Sequence, residues 1–254
     1  MNFTKVSLIN TKITLFIIGY FFCVGLTSCN KKMESYESVQ IKYYYPLEEG
    51  RYIIYKVDSL KYISFGTRDT IIHCQVKYQT DSQMTDNLGR PSYRIFRYYR
   101  TDSNQLWIPE ATLMATNTVN SLELVEDNLR FIKLRLPIKE NITWKGNSYI
   151  ETSSVNSNLR YLENWDYVFH QVGNTEIMGT DTLKNVITVD QRDEIIGLPE
   201  NSDSYSEINY AQEKYALGIG MVYKTFLHKE YQPNNGGYVA DGSYGVTYTM
   251  IDHN

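Results

Sequence analysis

The chain contains four histidines and three cysteines, the side chains that most often bind transition metals. No two histidines have the His-x-x-x-His or His-Glu-x-x-His spacing that brings two ligands together; they are His73, His170, His228 and His253. His73 and Cys74 are adjacent, but adjacent residues of a strand face opposite sides of the sheet and cannot share a metal. We therefore expect no metal site and no cofactor.

Nucleophilic catalysis also lacks its usual pattern, because the chain has no Gly-x-Ser-x-Gly elbow. Cys74 alternates with Ile72 and Val76, which predicts a core position. A cysteine in a core is usually inert packing. The alternative is a Cys74–His pair, which requires a distant histidine to fold beside the thiol.

Carboxylates are numerous, with 29 Asp and Glu residues. A glycosidase needs two of them about 5–10 Å apart across a cleft, a distance that sequence does not show. Adjacent acids point apart on strands and are solvated in turns, which is how we interpret Glu48-Glu49, Glu126-Asp127 and Asp193-Glu194. The dense spacing of a calcium loop is absent around Asp181, Asp190 and Asp193. We assign no catalytic residue and predict that the protein is not an enzyme.

Aromatic side chains offer faces on which a sugar ring stacks. The candidates are Tyr43–Tyr45, Tyr98-Tyr99, Trp107, Trp144 and Trp165. The alternative, which we favour for most strand tyrosines, is packing within a core or a barrel wall.

The N-terminal segment has the order of a secretory signal peptide. Lys5 and Lys12 supply positive charge, and residues 13–25 form an uncharged apolar run. A membrane-spanning helix needs about twenty residues, so this run is too short to span. The segment ends Leu26-Thr27-Ser28-Cys29. It resembles the lipobox of bacterial lipoproteins, in which cleavage falls between the two residues that are here Ser28 and Cys29.

The lipobox resemblance implies a modified Cys29, whose sulfur receives a diacylglycerol and whose amine is often acylated, for example with palmitate. Two or three acyl chains anchor a protein stably to a bilayer, so we expect the lipid bilayer to be a partner through Cys29. The alternative is an uncleaved anchor with a chance cysteine. The predicted domains are a signal peptide (1–28), a lipidated tether (29–40) and a single β-rich domain (41–254).

Removal of residues 1–28 leaves 23 basic residues (25 − 2) and 29 acidic ones, a net charge of −6. That charge argues against a nucleic-acid partner, which requires basic residues to neutralise phosphates. Cys23 is removed with the signal peptide, so Cys74 would be the one thiol beyond the anchor and could form no internal disulfide.

Apolar residues recur with a period of two along the rest of the chain, which is typical of strands. Examples are Ile72–Tyr78, Ile132–Leu136 and Tyr244–Met250. Lys133 and Arg135 are expected on the polar face of the second run. Turn signals separate these runs, so we predict an all-β antiparallel fold with few or no helices. Residues 205–217 fit a helix or a strand, and we favour a strand.

Three segments together resemble uncharacterised lipoproteins of Bacteroidota. They are Tyr43–Tyr55 (YYYPLEEGRYIIY), Gly179–Ile187 (GTDTLKNVI) and Tyr215–Lys224 (YALGIGMVYK). The resemblance implies a curved sheet or partial barrel, like those of lipoprotein carriers or lipocalins, and implies no activity. Gly218 and Gly220 predict positive φ or a bulge beside a buried strand, since Gly-Ile-Gly lacks the strand–turn–helix context of a nucleotide site.

We predict a membrane-anchored cell-envelope protein that works as a non-catalytic binding or interaction module. The partner would be an envelope protein or an apolar ligand. One alternative is a carrier of an apolar ligand or lipid in a β-barrel cavity, and another is a cell-envelope hydrolase, which requires convergent polar side chains with perturbed pKa values. Asn30 favours the outer membrane. Lys31-Lys32, with Glu34 arriving late, favour its periplasmic face over the cell surface.

Overall fold

The computed structural model describes residues 41–154 and 157–254. The predicted signal peptide, its cleavage site at Ser28 and Cys29, and the tether lie outside the described residues. The described residues form one short helix, α1 (Ile41–Tyr44), and two 3-10 helices, Arg160–Leu162 and Asn234–Gly236. The strands are β1 (Tyr52–Ile63), β2 (Arg68–Thr85), β3 (Pro91–Arg100), β4 (Ile108–Asn117), β5 (Ser121–Glu126), β6 (Leu129–Arg135), β7 (Thr143–Lys145), β8 (Asp166–Met178), β9 (Asp181–Gly197), β10 (Ser206–Ala216), β11 (Gly220–Gln232), β12 (Tyr238–Val239) and β13 (Tyr244–His253).

All of these strands belong to one antiparallel sheet. Its order is β6-β5-β4-β3-β2-β1-β13-β11-β10-β9-β8-β7, with β12 paired to β11. The two ends of this order meet at a seam, where Ile132 N donates to Gly146 O at 2.8 Å and Trp144 Nε1 donates to Ile132 O at 2.7 Å. The sheet is therefore a nearly closed barrel, which confirms the predicted all-β fold.

The predicted period of two explains most of the strands. On β13, Val246 and Tyr248 pack against the core and Met250 is buried within it. Residues 205–217 contain β10, whose buried residues recur at every second position from Asn209 to Tyr215. The strand interpretation of this segment is therefore confirmed.

The first end of the barrel is closed by α1, whose Ile41 and Tyr44 are buried. Gly218, in the β10–β11 turn, donates its N–H to Tyr43 O at 2.7 Å and accepts a hydrogen bond from Arg51 Nη2 at 2.6 Å. The turn has φ +80° at Gly218 and +125° at Gly220, so the predicted positive φ is confirmed at both glycines.

The second end is crossed by residues 157–165, which we call the crossing segment. Leu162 and Trp165 in this segment are buried. Asn147 holds it in place, because its Nδ2 donates to Leu162 O at 3.0 Å while its Oδ1 accepts from Tyr167 Oη at 2.9 Å. The crossing segment is thus fixed to the inner face of the sheet.

The seam provides a test of packing at Gly146. A Cβ atom on Gly146 would lie 2.4 Å from ring atoms of the buried Tyr167. We expect Gly146→Ala to lower the free energy of unfolding by about 1–3 kcal/mol, the usual effect of overpacking. Gly245→Ala is the matched control, because its Cβ would lie 3.3 Å from the side chains of Leu60 and Leu227. Denaturant unfolding that shows equal losses for the two variants would contradict this account of the seam.

Candidate ligand-binding site

The interior of the barrel contains a cavity of about 270 Å³ on the side of the second end. Seven aromatic residues line it: Phe131, Tyr161, Trp165, Tyr167, Phe226, Tyr244 and Tyr248. Phe226 stacks on Tyr244 with ring centroids 4.9 Å apart, and on Trp165 at 6.0 Å. These near-parallel rings form an aromatic stack that lines the cavity.

Charged side chains also line this cavity, and they are paired inside the barrel. Lys133 Nζ donates to Glu213 Oε1 at 2.6 Å, and Lys224 Nζ contacts Glu126 Oε2 at 3.4 Å. Arg97 Nη1 donates to the second oxygen of Glu126, Oε1, at 3.1 Å. Buried charges require such partners, because an uncompensated ion in a protein interior is strongly destabilising.

Two tyrosine hydroxyls complete the pairing. Tyr78 donates to Glu126 Oε1 at 3.1 Å, and Tyr215 donates to Glu213 Oε2 at 2.6 Å. Each buried carboxylate therefore accepts hydrogen bonds at both oxygens.

Three groups of this network have pKa values that keep them ionised: Glu126, Glu213 and Lys224. Burial on its own raises the pKa of Glu126, but Lys224, Lys133 and Arg97 outweigh it and lower the pKa to about 2. The pKa of Glu213 is lowered for the same reason, as Lys133 and Lys224 overcome the effect of burial. Burial lowers the pKa of Lys224, yet Glu126 and Glu213 raise it above its ordinary value. None of these three groups titrates near neutral pH.

Two β-bulges place polar side chains against the cavity. In the β5–β6 pair, Glu123 faces Ile132 and Leu122 faces Leu134, so Lys133 is the extra residue. In the β9–β10 pair, Gln191 is the extra residue, because Arg192 faces Ala211 and Asp190 faces Gln212. A bulge redirects a side chain relative to the regular alternation. The prediction that Lys133 lies on the polar face of its strand is therefore wrong: it is buried and lines the cavity.

The predicted carboxylate pair Glu126-Asp127 is divided between two environments. The side chain of Asp127 is 69% exposed, as expected for a solvated turn, but that of Glu126 is only 11% exposed. The interpretation of Glu126 as solvated is wrong, because Arg97 and Lys224 hold it inside the barrel. Arg97 also reaches Glu110, whose Oε2 lies 2.9 Å from Nε, but without the geometry of a hydrogen bond.

A second, polar cleft of about 810 Å³ lies beyond the crossing segment. Its acidic lining residues are Glu163, Glu194, Glu207, Glu230 and Asp241. Inside it, His228 Nδ1 lies 2.7 Å from Asn209 Oδ1, and the amide nitrogen of Asn209 donates to Glu207 and Glu194. Nδ1 of His228 is therefore the donor. Burial lowers the pKa of His228, which favours the neutral ring.

Tyr161 of the crossing segment separates the cavity from this cleft and lines both. Its ring stacks on His228 with centroids 4.0 Å apart and an interplanar angle of 14°, and contacts Phe226 edge-on at 6.2 Å.

The other residues singled out from the sequence lie apart from the cavity. Cys74 is half-buried rather than fully in the core, because Ile72 beside it is exposed near the β1–β2 turn. Burial raises the pKa of the Cys74 thiol. His73 pairs with Asp58 at 2.6 Å. Within 41–154 and 157–254, no three His, Cys, Asp or Glu side chains form a group that could hold a metal ion.

Of the aromatic candidates, Trp165 is the one that lines the cavity. Trp144 is buried in the core against Phe169. Trp107 lies under two cations, with the Arg100 guanidinium 4.1 Å and Lys77 Nζ 5.3 Å from ring centroids. Trp144 and Trp107 therefore make structural contacts, and the other aromatic residues of the cavity are ones that the sequence pattern did not single out.

The three segments with a family resemblance all reach the first end of the barrel. Tyr43–Tyr55 contains the end of α1 and the start of β1, Gly179–Ile187 contains the start of β9, and Tyr215–Lys224 spans the β10–β11 turn. The first and third are joined through Gly218, and the second and third through the pairing of Val186 with Ala216. These segments therefore support the fold at the end opposite the cavity.

No family model and no curated protein matches this chain. Among solved structures, one described as a "putative lipoprotein" from Parabacteroides distasonis is similar at a TM-score of 0.37 and 11% identity, covering 84% of this chain and 98% of that one. Another, described as a "putative exported protein with YmcC-like fold" from Bacteroides fragilis, is similar at a TM-score of 0.34 and 10% identity, covering 82% and 98%. Likenesses this distant carry no inference about activity.

Proposed function

We propose that this chain is a cell-envelope lipoprotein, anchored to a membrane by acyl chains on Cys29, whose β domain binds a small ligand in the barrel cavity without catalysis. The anchor rests on the lipobox residues Leu26–Cys29 and on the stable attachment that two or three acyl chains provide. Within the described part of the chain, no helix has the length and hydrophobicity needed to span a bilayer.

The observation that carries the binding role is the fixed ionisation of the cavity network. General acid–base catalysis is most efficient when the catalytic pKa lies near the working pH. The pKa of Glu126 is about 2, and that of Lys224 is raised above its ordinary value. Such groups hold and orient a polar ligand, but they do not exchange protons with it at neutral pH. This supports binding over the hydrolase alternative.

The carrier alternative fits the cavity less well. An acyl chain entering it would cover Lys133, Lys224 and Arg97 with apolar atoms and remove their remaining solvent. Desolvating charged groups without new hydrogen bonds is unfavourable. A further apolar-lined space at the first end, beside Tyr55 and Ile95, is only about 30 Å³, too small for a lipid. The structure therefore favours a small polar ligand over a fatty one.

The anchor is tested by Cys29→Ala in the native host. We expect the variant to incorporate no radioactive palmitate and to leave the membrane fraction, because the acceptor sulfur is absent. Cys74→Ala is the control and should be labelled like the parent chain, since Cys74 lies on β2 within the folded domain. Labelling of Cys29→Ala, or an unlabelled parent chain that keeps its leader, would contradict the proposed anchor.

We further propose the periplasmic face of the outer membrane as its location, from Asn30 and Lys31-Lys32. Protease added to intact cells should then leave the domain uncut. Its removal by external protease would place the domain at the cell surface instead.

A further inference from the structure

The cavity contains more hydrogen-bond donors than the chain itself uses. Gln191 is 5% exposed, and its Nε2 has no hydrogen-bond partner among the described residues. Lys133 and Lys224 each have three N–H donors, and within the described chain each donates one hydrogen bond. A buried donor left unsatisfied costs roughly 1–3 kcal/mol. The surplus therefore indicates a space that takes oxygen acceptors from outside the chain.

Acceptors are available there as well. Glu126 lines the cavity and remains ionised, and its two oxygens can accept additional hydrogen bonds. A ligand in this cavity must therefore accept hydrogen bonds from Gln191 and the two lysines. It must also donate a hydrogen bond to the carboxylate. Hydroxyl groups do both. A fatty acyl chain does neither, and an ionised phosphate ester accepts hydrogen bonds but donates none.

The aromatic residues of the cavity determine the other part of the ligand. Trp165, Phe226 and Tyr244 form an aromatic stack that lines the cavity. Such a stack offers apolar surface against which C–H groups can pack. The ring of a hexose presents C–H groups on its faces and hydroxyls around its edge, so one molecule satisfies both sides of the cavity.

The size of the cavity limits the ligand to one ring. Drug-sized ligands occupy pockets of about 300–1,000 Å³, and this cavity is about 270 Å³. Tyr161 closes it toward the polar cleft, so a longer molecule would have to displace the crossing segment.

We infer that the cavity binds a carbohydrate, one monosaccharide ring packed against the aromatic residues Trp165, Phe226 and Tyr244, with hydroxyl oxygens hydrogen-bonded to Gln191, Lys133 and Lys224. This inference rests on the proposed binding function and gives its ligand class. The bulges at Lys133 and Gln191 are the local structures that direct both donors to the ligand.

Ligand-observed NMR and titration calorimetry on the full chain in detergent test it, with glucose, galactose, mannose, N-acetylglucosamine and glucuronic acid as probes. We expect saturable binding of at least one sugar. Gln191→Leu should weaken that binding about tenfold, the loss of one hydrogen bond of roughly 1.4 kcal/mol, and should not lower stability, because the amide nitrogen has no partner to lose. Gln83→Leu, at an exposed position of β2, is the matched control and should bind like the parent chain.

Three outcomes would overturn the inference. In the first, no sugar of the panel binds, but palmitic acid or inorganic phosphate does, and Gln191→Leu alters the affinity for that probe. The proposed binding function would then be supported, and the proposed ligand class would be wrong. In the second, a sugar binds equally well to Gln191→Leu and the parent chain, which would exclude this cavity as the sugar site. In the third, none of these probes binds, and both the proposed binding function and the inference are then wrong. The proposed anchor at Cys29 is tested separately, by palmitate labelling.

Discussion

Replacing Lys133 by methionine is expected to lower the free energy of unfolding by about 3–5 kcal/mol, the usual effect of removing one partner from a buried ion pair. Methionine keeps the length of the side chain and removes its charge. Glu213 is fully buried and would then keep its charge with the Tyr215 hydroxyl as its direct hydrogen-bond partner. Denaturant unfolding at neutral pH measures this loss.

Two further variants separate the buried charge from other effects. Lys133→Met combined with Glu213→Gln should recover much of the loss, because the remaining amide is neutral and still accepts from Tyr215. Lys145→Met removes a cation from the exposed pair with Asp166, whose side chains are 55% and 58% exposed, and should cost less than about 1 kcal/mol. Similar losses for Lys133→Met and Lys145→Met would refute the buried network as a source of stability.

Acidification is expected to destabilise the domain between about pH 4.5 and about pH 2. The pKa of Glu126 is about 2 in the folded chain, compared with an ordinary value of 4.5. A lowered pKa in the folded state adds stability that is complete above the unfolded pKa and disappears as the pH falls through the folded one. At 1.36 kcal/mol per unit, Glu126 contributes about 3 kcal/mol. Lys224, whose pKa is raised, stays protonated throughout this range and adds no slope.

The variant Glu126→Gln isolates this contribution. It should be less stable than the parent chain at neutral pH, because Arg97 and Lys224 lose their shared carboxylate. Its stability should also fall less steeply from about pH 4.5 to about pH 2, since one carboxylate with a lowered pKa is absent. Unfolding curves at several pH values measure how the free energy of unfolding of each chain changes with pH. Equal slopes for the two chains would show that the pKa of Glu126 is not lowered in the folded state.

The strands were predictable from sequence because their signal is local. Alternation at Tyr244–Met250 and a turn at Gly218 are each set by a few neighbouring residues, and both are found in the structure. The all-β fold follows from many such segments. The pairing of β1 with β13, which joins the two halves of the sheet, depends on residues nearly two hundred positions apart and has no local signal.

The cavity was not predictable, for two physical reasons. Lys133 and Gln191 are bulge residues. A bulge interrupts the alternation from which the inward-pointing side chains of a strand are inferred. In addition, Lys133 and Glu213 are 80 positions apart. The sequence alone therefore does not show that these two side chains form an ion pair. A lysine between Ile132 and Leu134 was the available signal, and alternation alone assigned it to solvent.

α1 closes the end of the barrel opposite the cavity, and none of its four residues lines the cavity. The closed end and the space proposed for the ligand are therefore built from separate residues. A substitution in α1 would leave the groups that face the ligand chemically unchanged.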